Sequence, residues 1–125
     1  MAILTVFTPT YNRAYTLHKC YGSLRRQTNK DFVWLIIDDG STDNTPKIIE
    51  KLAQDDNRIK IVNQQNRGLI EARKSGFNCS NGEYILFIDG DDWLELNAVE
   101  VLYYEAMQKK SDIILFNAFN SYDDG

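Results

Sequence analysis

Apolar positions along the chain alternate between two patterns. Short runs rich in β-branched and aromatic residues predict strands at Ile3-Leu4-Thr5-Val6-Phe7-Thr8, Phe32 to Ile37, Ile59-Lys60-Ile61-Val62, Tyr84-Ile85-Leu86-Phe87-Ile88 and Ile113-Ile114-Leu115-Phe116. Between them, apolar residues recur at helical spacing: Leu17, Cys20, Tyr21 and Leu24, then Ile48, Ile49, Leu52 and Ala53, then Leu69, Ala72, Gly76 and Phe77, and last Val99, Leu102, Tyr103 and Ala106. The first strand should stop at Pro9, which has no N–H to give to a central ladder. The second run is apolar without alternation, as in a parallel strand covered on both faces, whereas the third alternates and belongs nearer a sheet edge. The fourth, entered through an Asn81-Gly82 turn, reads as a buried central strand.

Strands separated by helices of roughly 10–15 residues define an α/β fold, with a mostly parallel sheet flanked by helices and right-handed crossovers. In such sheets ligands bind outside the carboxyl ends of the strands. The polar segments Thr8 to Arg13, Asp38 to Asp43 and Asp89 to Asp92 each follow a strand and should converge on one crevice there. The last carries the chemistry. Asp89 and Asp91 can project to one side of extended backbone, while Gly90 lets a ligand approach the main chain. Such carboxylates suit a hard divalent cation, Mn or Mg, which completes its shell with water and substrate phosphates. Asp92 with Glu95 has the spacing of a capping box, so Asp92 reads either as a helix cap or as part of the site. Asn44, Thr45 and their neighbours offer N-caps ahead of Pro46. Arg73 borders the apolar side of its helix, either snorkelling to solvent or waiting for an anion.

Composition narrows the classes. With 125 residues the chain has the length of one domain, and 14 basic against 18 acidic residues leave a net charge of −4 with no basic stripe, which argues against nucleic acid as a partner. Cys20 and Cys79 fall in helical stretches without a CxxC or Cys/His cluster, and are expected to be reduced, buried and inert. His18, the only histidine, lies off the apolar stripe and reads as solvated rather than catalytic. No apolar run approaches the ~18 residues of a membrane helix and no signal peptide is evident, so a cytoplasmic domain is expected.

Four segments, in this order, resemble the nucleotide-binding half of the family 2 glycosyltransferases: Val6 to Arg13, Ile37 to Asp43, Asn66-Arg67-Gly68 with Ala72-Arg73, and Gly82-Glu83-Tyr84 leading to Asp89-Gly90-Asp91-Asp92. The resemblance covers nearly the whole chain and implies a GT-A fold, Rossmann-like, that binds a nucleotide-diphosphate sugar, UDP-linked, for inverting transfer to a glycan or other hydroxyl acceptor, as in polysaccharide biosynthesis. It implies that the loop Thr8 to Tyr11, with Thr8, Pro9 and Tyr11 as nucleotide-site residues, packs around the base and that Asp39 accepts from the N3–H of uracil. Arg13, Arg73, Asp89 and Gly90 complete the nucleotide site. Asp91, with Asp89, corresponds to the family DxD that holds Mn or Mg. Asp38 should serve the Gly40 turn instead. Family members are usually longer and carry the general base after the metal motif. Asp123 and Asp124 sit in a polar tail that gives neither that role, so the chain reads as a donor-binding fragment, inactive alone, with any membrane association at the inner face supplied by missing parts.

Three rivals use the same residues differently. A haloacid dehalogenase-type phosphatase would make Asp89 the nucleophile and Asp91 the acid/base, but Trp93 stands where that motif wants a small residue, and the motif normally lies on the first strand. A phosphoacceptor receiver needs an acidic pair after the first strand and a lysine after the fifth, where this chain has Thr8-Pro9 and Asn117. A nucleotide-binding module without catalysis is the third.

Overall fold

Successive residues of each strand address opposite faces of the sheet, and the core divides accordingly. The computed structural model describes residues 4–80, 83–90 and 92–109. Its elements run β1 (Leu4–Thr10), α1 (Ala14–Arg25), β2 (Phe32–Asp38), α2 (Thr45–Asp55), β3 (Ile59–Asn63), α3 (Leu69–Cys79), β4 (Tyr84–Phe87) and α4 (Ala98–Lys109). Leu4 and Val6 of β1, Phe32, Trp34 and Ile36 of β2, and Leu86 of β4 pack with Leu17, Leu24, Ile49 and Val99 from α1, α2 and α4. Phe7, Leu35 and Ile37 face the other way, onto Ala72 of α3. This is the expected α/β architecture, with helices on both faces.

The four described strands are all parallel, in the order β3-β2-β1-β4. From β1 the chain first builds outward through β2 and β3, then returns to place β4 on the other side. The carboxyl ends of β1 and β4 therefore flank the point where the order reverses, which is where open α/β sheets leave a crevice.

Several expectations change. β1 continues through Pro9 to Thr10, with Pro9 in register with Ile37. Phe7 O accepts from Ile88 N–H whereas Thr10 O accepts from Asp39 N–H, so alternate residues serve opposite neighbours. Pro9 thus faces the β4 side beyond the end of that pairing at Phe87, where no ladder donor is needed. Among the described strands β4 pairs with β1, and Ile85 is exposed; the expected fifth strand, which bears on whether β4 lies centrally, is outside the described residues. α3 buries only its small residues, Ala72 and Gly76, while Leu69 and Phe77 stay exposed, because the helix lies too close to the sheet for larger side chains beneath it. Cys79, at the end of α3, is exposed, whereas Cys20 is buried as expected. Asp92 does not cap a helix, since α4 begins at Ala98; its N–H closes a turn onto Asp89 O. The stretch Ile113 to Phe116, the Asn81-Gly82 turn and the tail aspartates Asp123 and Asp124 lie outside the described residues. None of the described helices is long and apolar enough to cross a membrane.

The connection from the acidic turn to α4 is held by Ser23 of α1 and by Gln27, just past the end of that helix. Ser23 Oγ accepts from Leu94 N–H at 3.1 Å. The fully buried Gln27 donates to Ser23 O at 3.0 Å and Glu95 O at 2.6 Å and accepts from Val99 N–H at 2.9 Å. Replacing that amide with a hydrocarbon strands buried backbone groups, so Gln27→Leu is expected to cost about 2 kcal/mol. The measurement is urea unfolding, with a lowered midpoint at unchanged slope.

Candidate functional site

A crevice of about 410 Å³ opens at the switch point of the sheet. The end of β1 contributes Pro9, Thr10, Tyr11 and Arg13, the end of β2 contributes Asp39, the approach to α3 and its first turn contribute Asn66, Gly68, Leu69 and Ala72, and the turn after β4 contributes Asp89 and Gly90. Six expected site residues therefore meet: Pro9, Tyr11, Arg13, Asp39, Asp89 and Gly90. Thr8 and Arg73 are not in the lining. Thr8 is fully buried, its hydroxyl accepting from Trp34 Nε1–H at 2.9 Å, so it braces β1 against β2. Arg73 lies exposed on α3, its guanidinium 4.8 Å from the Phe87 ring centroid, an arrangement that accounts for its charge without an anion. Asp91 lies outside the described residues.

The loops around the crevice are tied to one another by short polar side chains. Asn12 adopts φ 52°, a left-handed conformation that asparagine tolerates. Its Oδ1 accepts from Thr42 N–H at 2.8 Å and Asp43 N–H at 3.3 Å, and its own N–H donates to Ser41 Oγ at 2.9 Å. Asp38 Oδ1 accepts from Ser41 N–H at 3.2 Å and from the Ser41 hydroxyl at 2.5 Å, closing the turn through Gly40. Asp43 accepts from Thr45 N–H at 2.8 Å and so supports the start of α2. Gly40 itself has φ +74°, and a Cβ there would stand 2.7 Å from Asn66 N. The loops after β2 and β3 are thus in backbone contact, which only glycine permits.

Asp39 is the anchor of this wall. It is buried, and its carboxylate accepts from Gln64 Nε2 at 2.9 Å and Arg67 N–H at 3.0 Å on Oδ1, and from Gly68 N–H at 2.9 Å on Oδ2. Burial, the largest single influence, pushes its carboxyl pKa up, but the hydrogen bonds from Gln64, Arg67 and Gly68 and the nearby Arg67 charge together outweigh it and hold the group below its ordinary value. Asp39 is therefore ionised at neutral pH.

Two features escaped the sequence reading. Gln64, in a loop with no helical or strand signal, proved to be a partner of Asp39. Thr10 Oγ1 is, among the described residues, a buried side-chain polar atom without a hydrogen-bond partner. It sits at the crevice beside the acidic turn, where a Cβ added to Gly90 would lie 3.5 Å away. Buried hydroxyls are nearly always paired, which makes this atom a candidate contact for a ligand or water in the crevice.

Residues 5–125 match the family described as Glycosyl transferase family 2. The chain belongs to that family. This glycosyltransferase chain is 38% identical over 117 residues to glycosyltransferase GlyA of Streptococcus pneumoniae, a match that covers 94% of the chain and 17% of GlyA. Its fold superimposes with a TM-score of 0.82 and 28% identity on S. aureus TarS 1-349, solved in complex with UDP-GlcNAc, over 90% of the chain and 33% of that one. The mannosyltransferase PcManGT from Pyrobaculum calidifontis, in complex with GDP-Man and Mn2+, shares the fold at a TM-score of 0.70 and 24% identity, over 80% of the chain and 32% of its own. The glycosyltransferase chain thus spans a third or less of the length of these relatives. Membership of the family also removes the phosphatase and receiver readings of the acidic turn.

Proposed function

We propose that this chain is the donor-binding part of an inverting glycosyltransferase that takes a UDP-sugar with a divalent metal. The observation that carries the reading is the convergence of Asp39, Arg13 and the Asp89-Gly90 turn on one crevice at the switch point of the sheet, of a volume that suits a cofactor-sized ligand. Asp39, ionised and on the crevice wall, accepts the N3–H of uracil. Pro9 and Tyr11 give the base an apolar wall, and Gly90, lacking a side chain, leaves room for the diphosphate against the main chain. TarS, which shares the fold at 28% identity, is solved with UDP-GlcNAc, and this supports uridine as the nucleoside.

A hard cation, Mn or Mg, fits the oxygen donors present. Asp89 brings a carboxylate to the crevice, and the orphaned Thr10 hydroxyl is a further oxygen beside Gly90. Among the described residues no three His, Cys, Asp or Glu side chains cluster as a ready-made metal cage. One or two carboxylates with substrate phosphates and water suffice for such an ion, and Asp89 and Asp91 are the residues assigned to hold it. When bound, the metal supplies the charge neutralisation that makes the diphosphate a leaving group. Without it, a carboxylate ~4 Å from a phosphate oxygen is repelled by roughly 4 kcal/mol at an effective dielectric of 20. Arg13 adds a second positive group at the crevice. Acceptor binding and the general base are assigned to sequence outside these residues, so the chain by itself is expected to bind donor and transfer nothing.

The test is calorimetric titration of UDP with Mn present, repeated with EDTA and with Asp91→Ala. Either change is expected to weaken binding by at least ~30-fold, about 2 kcal/mol. Absence of UDP binding here and in a chain extended towards the length of its relatives would reject the reading.

A further inference from the structure

An ionised carboxylate offers about four acceptor positions. In Asp39 three are taken: Gln64 Nε2 and Arg67 N–H fill Oδ1, and Gly68 N–H takes one position on Oδ2. One position on Oδ2 remains, on a residue that is 4% exposed and lines the crevice. A reader with a single open acceptor and no freedom to turn recognises one donor in one direction. The Arg67 and Gly68 N–H groups fix the carboxylate from the main chain, and Gln64 is the side chain that completes the restraint. Its Oε1 accepts from the Ser75 hydroxyl at 2.6 Å, and this sets the amide so that Nε2 faces Asp39. Ser75, on α3, thereby orients Gln64, which orients Asp39 at the end of β2.

Resting on the donor-site reading above, we propose that Gln64 is a positioning residue for nucleobase selection: it occupies the second acceptor position of Asp39 Oδ1 and leaves Oδ2 alone to meet the base. Uracil and cytosine have the same size and differ at this point in chemistry, since N3 of uracil carries a proton and N3 of cytosine is an acceptor. Against a fixed carboxylate lone pair, uracil gains a charge-assisted hydrogen bond and cytosine meets lone-pair repulsion. Shape alone cannot separate these two bases. The fold does not choose the base either, since it is shared by TarS with UDP-GlcNAc and by PcManGT with GDP-Man.

The test compares UDP and CDP affinities, with Mn-pyrophosphate as a probe blind to the base, for the chain and for Gln64→Ala, Gln64→Glu, Ser75→Ala and Ser75→Thr. The unaltered chain is expected to prefer UDP over CDP by at least ~30-fold, about 2 kcal/mol of discrimination. Gln64→Ala should reduce that ratio by about tenfold, one charge-assisted hydrogen bond's worth, with Mn-pyrophosphate affinity unchanged. Gln64→Glu, nearly isosteric, sets a second carboxylate against Asp39 and should reduce it further. Ser75→Ala should give a smaller loss, which Ser75→Thr restores. A UDP:CDP ratio unchanged in Gln64→Ala and Gln64→Glu overturns the assignment, as does a loss shared equally by UDP, CDP and Mn-pyrophosphate, which is what a merely structural role would produce. If Gln64→Ala does not fold, Gln64→Glu and Ser75→Ala decide by the same ratio. Failure of the donor-site reading shows itself differently, as an unaltered chain that binds Mn-pyrophosphate with no gain from uridine, and that result removes this inference with it.

Discussion

Asp39→Ala is expected to lower the thermal midpoint by about 10 °C and to weaken UDP binding by about 10- to 100-fold. Removing the carboxylate leaves the Arg67 and Gly68 N–H groups and the Gln64 amide without their acceptor. With partial rescue by water at this exposed loop, the loss is about 2–3 kcal/mol, which for a domain of this size corresponds to ~10 °C. The binding loss has a separate origin, the missing acceptor for the base, at about 1.5–3 kcal/mol for a hydrogen bond to a charged group. Differential scanning fluorimetry and calorimetric titration read the two effects independently. Asp39→Asn distinguishes them further, since its amide oxygen retains part of the loop contacts while the charge is gone. Because the Asp39 carboxyl titrates below its ordinary value when folded, its contribution to stability is fully present above the unfolded carboxyl pKa and is lost as pH falls through the lowered one. Acid unfolding of Asp39→Asn should therefore lack that component, and an acid limb identical to that of the parent chain would contradict the described hydrogen bonding.

Gly76→Ala is expected to destabilise the fold by about 2–3 kcal/mol even though alanine is the better helix former by ~1 kcal/mol. A Cβ at this position would stand 2.2 Å from Phe7 Cδ2 and 2.4 Å from Cε2. Phe7 cannot yield, being fully buried on β1 with Phe77 and Phe87 each packed edge-on at 5.2 Å between centroids. Relief requires α3 to lift off the sheet, and its N-cap Gly68 and the helix residues Leu69 and Ala72 are in the crevice wall. The stability loss should therefore be accompanied by weaker UDP binding. A double-mutant cycle with Phe7→Leu checks the cause: the leucine should recover part of the loss caused by Gly76→Ala, giving a non-additive pair. Additive losses would mean that the ring is not what the methyl meets.

The legible parts of this protein were those written in periodicity. The run Phe32 to Ile37 and the stripe Leu17, Cys20 and Leu24 each became the element and face expected, because burial on a strand or helix repeats at a fixed interval. The order of polar segments after strands likewise foretold a crevice containing Pro9, Tyr11, Arg13, Asp39, Asp89 and Gly90. Thr8 was misplaced because alternation gives the two faces of a strand without saying which face meets a ligand, and here the hydroxyl turned to Trp34. The spacing around Arg73 does not separate solvent from an anion, and its contact with the Phe87 ring depends on a strand fourteen residues away in the chain. Gln64 carried no signal at all, since nothing local distinguishes a glutamine that orients a carboxylate from one that faces water.

The sequence by itself determined the alternation of strands and helices, the acidic turns at strand ends and, through four ordered motifs, the family, because each of these depends on residues close together in the chain. Tertiary structure alone decided the strand order β3-β2-β1-β4, which put the ends of β1 and β4 side by side. It also decided which polar groups were spent inside the protein and which remained for a ligand. Asp39 retains one open acceptor because, among the described residues, the loop between β3 and α3 fills the others through Gln64, Arg67 and Gly68, and Thr10 Oγ1 has no hydrogen-bond partner among the described residues. Hydrogen-bond saturation depends on distance in space, and that distance is set only when the sheet has closed and α3 has settled onto Phe7.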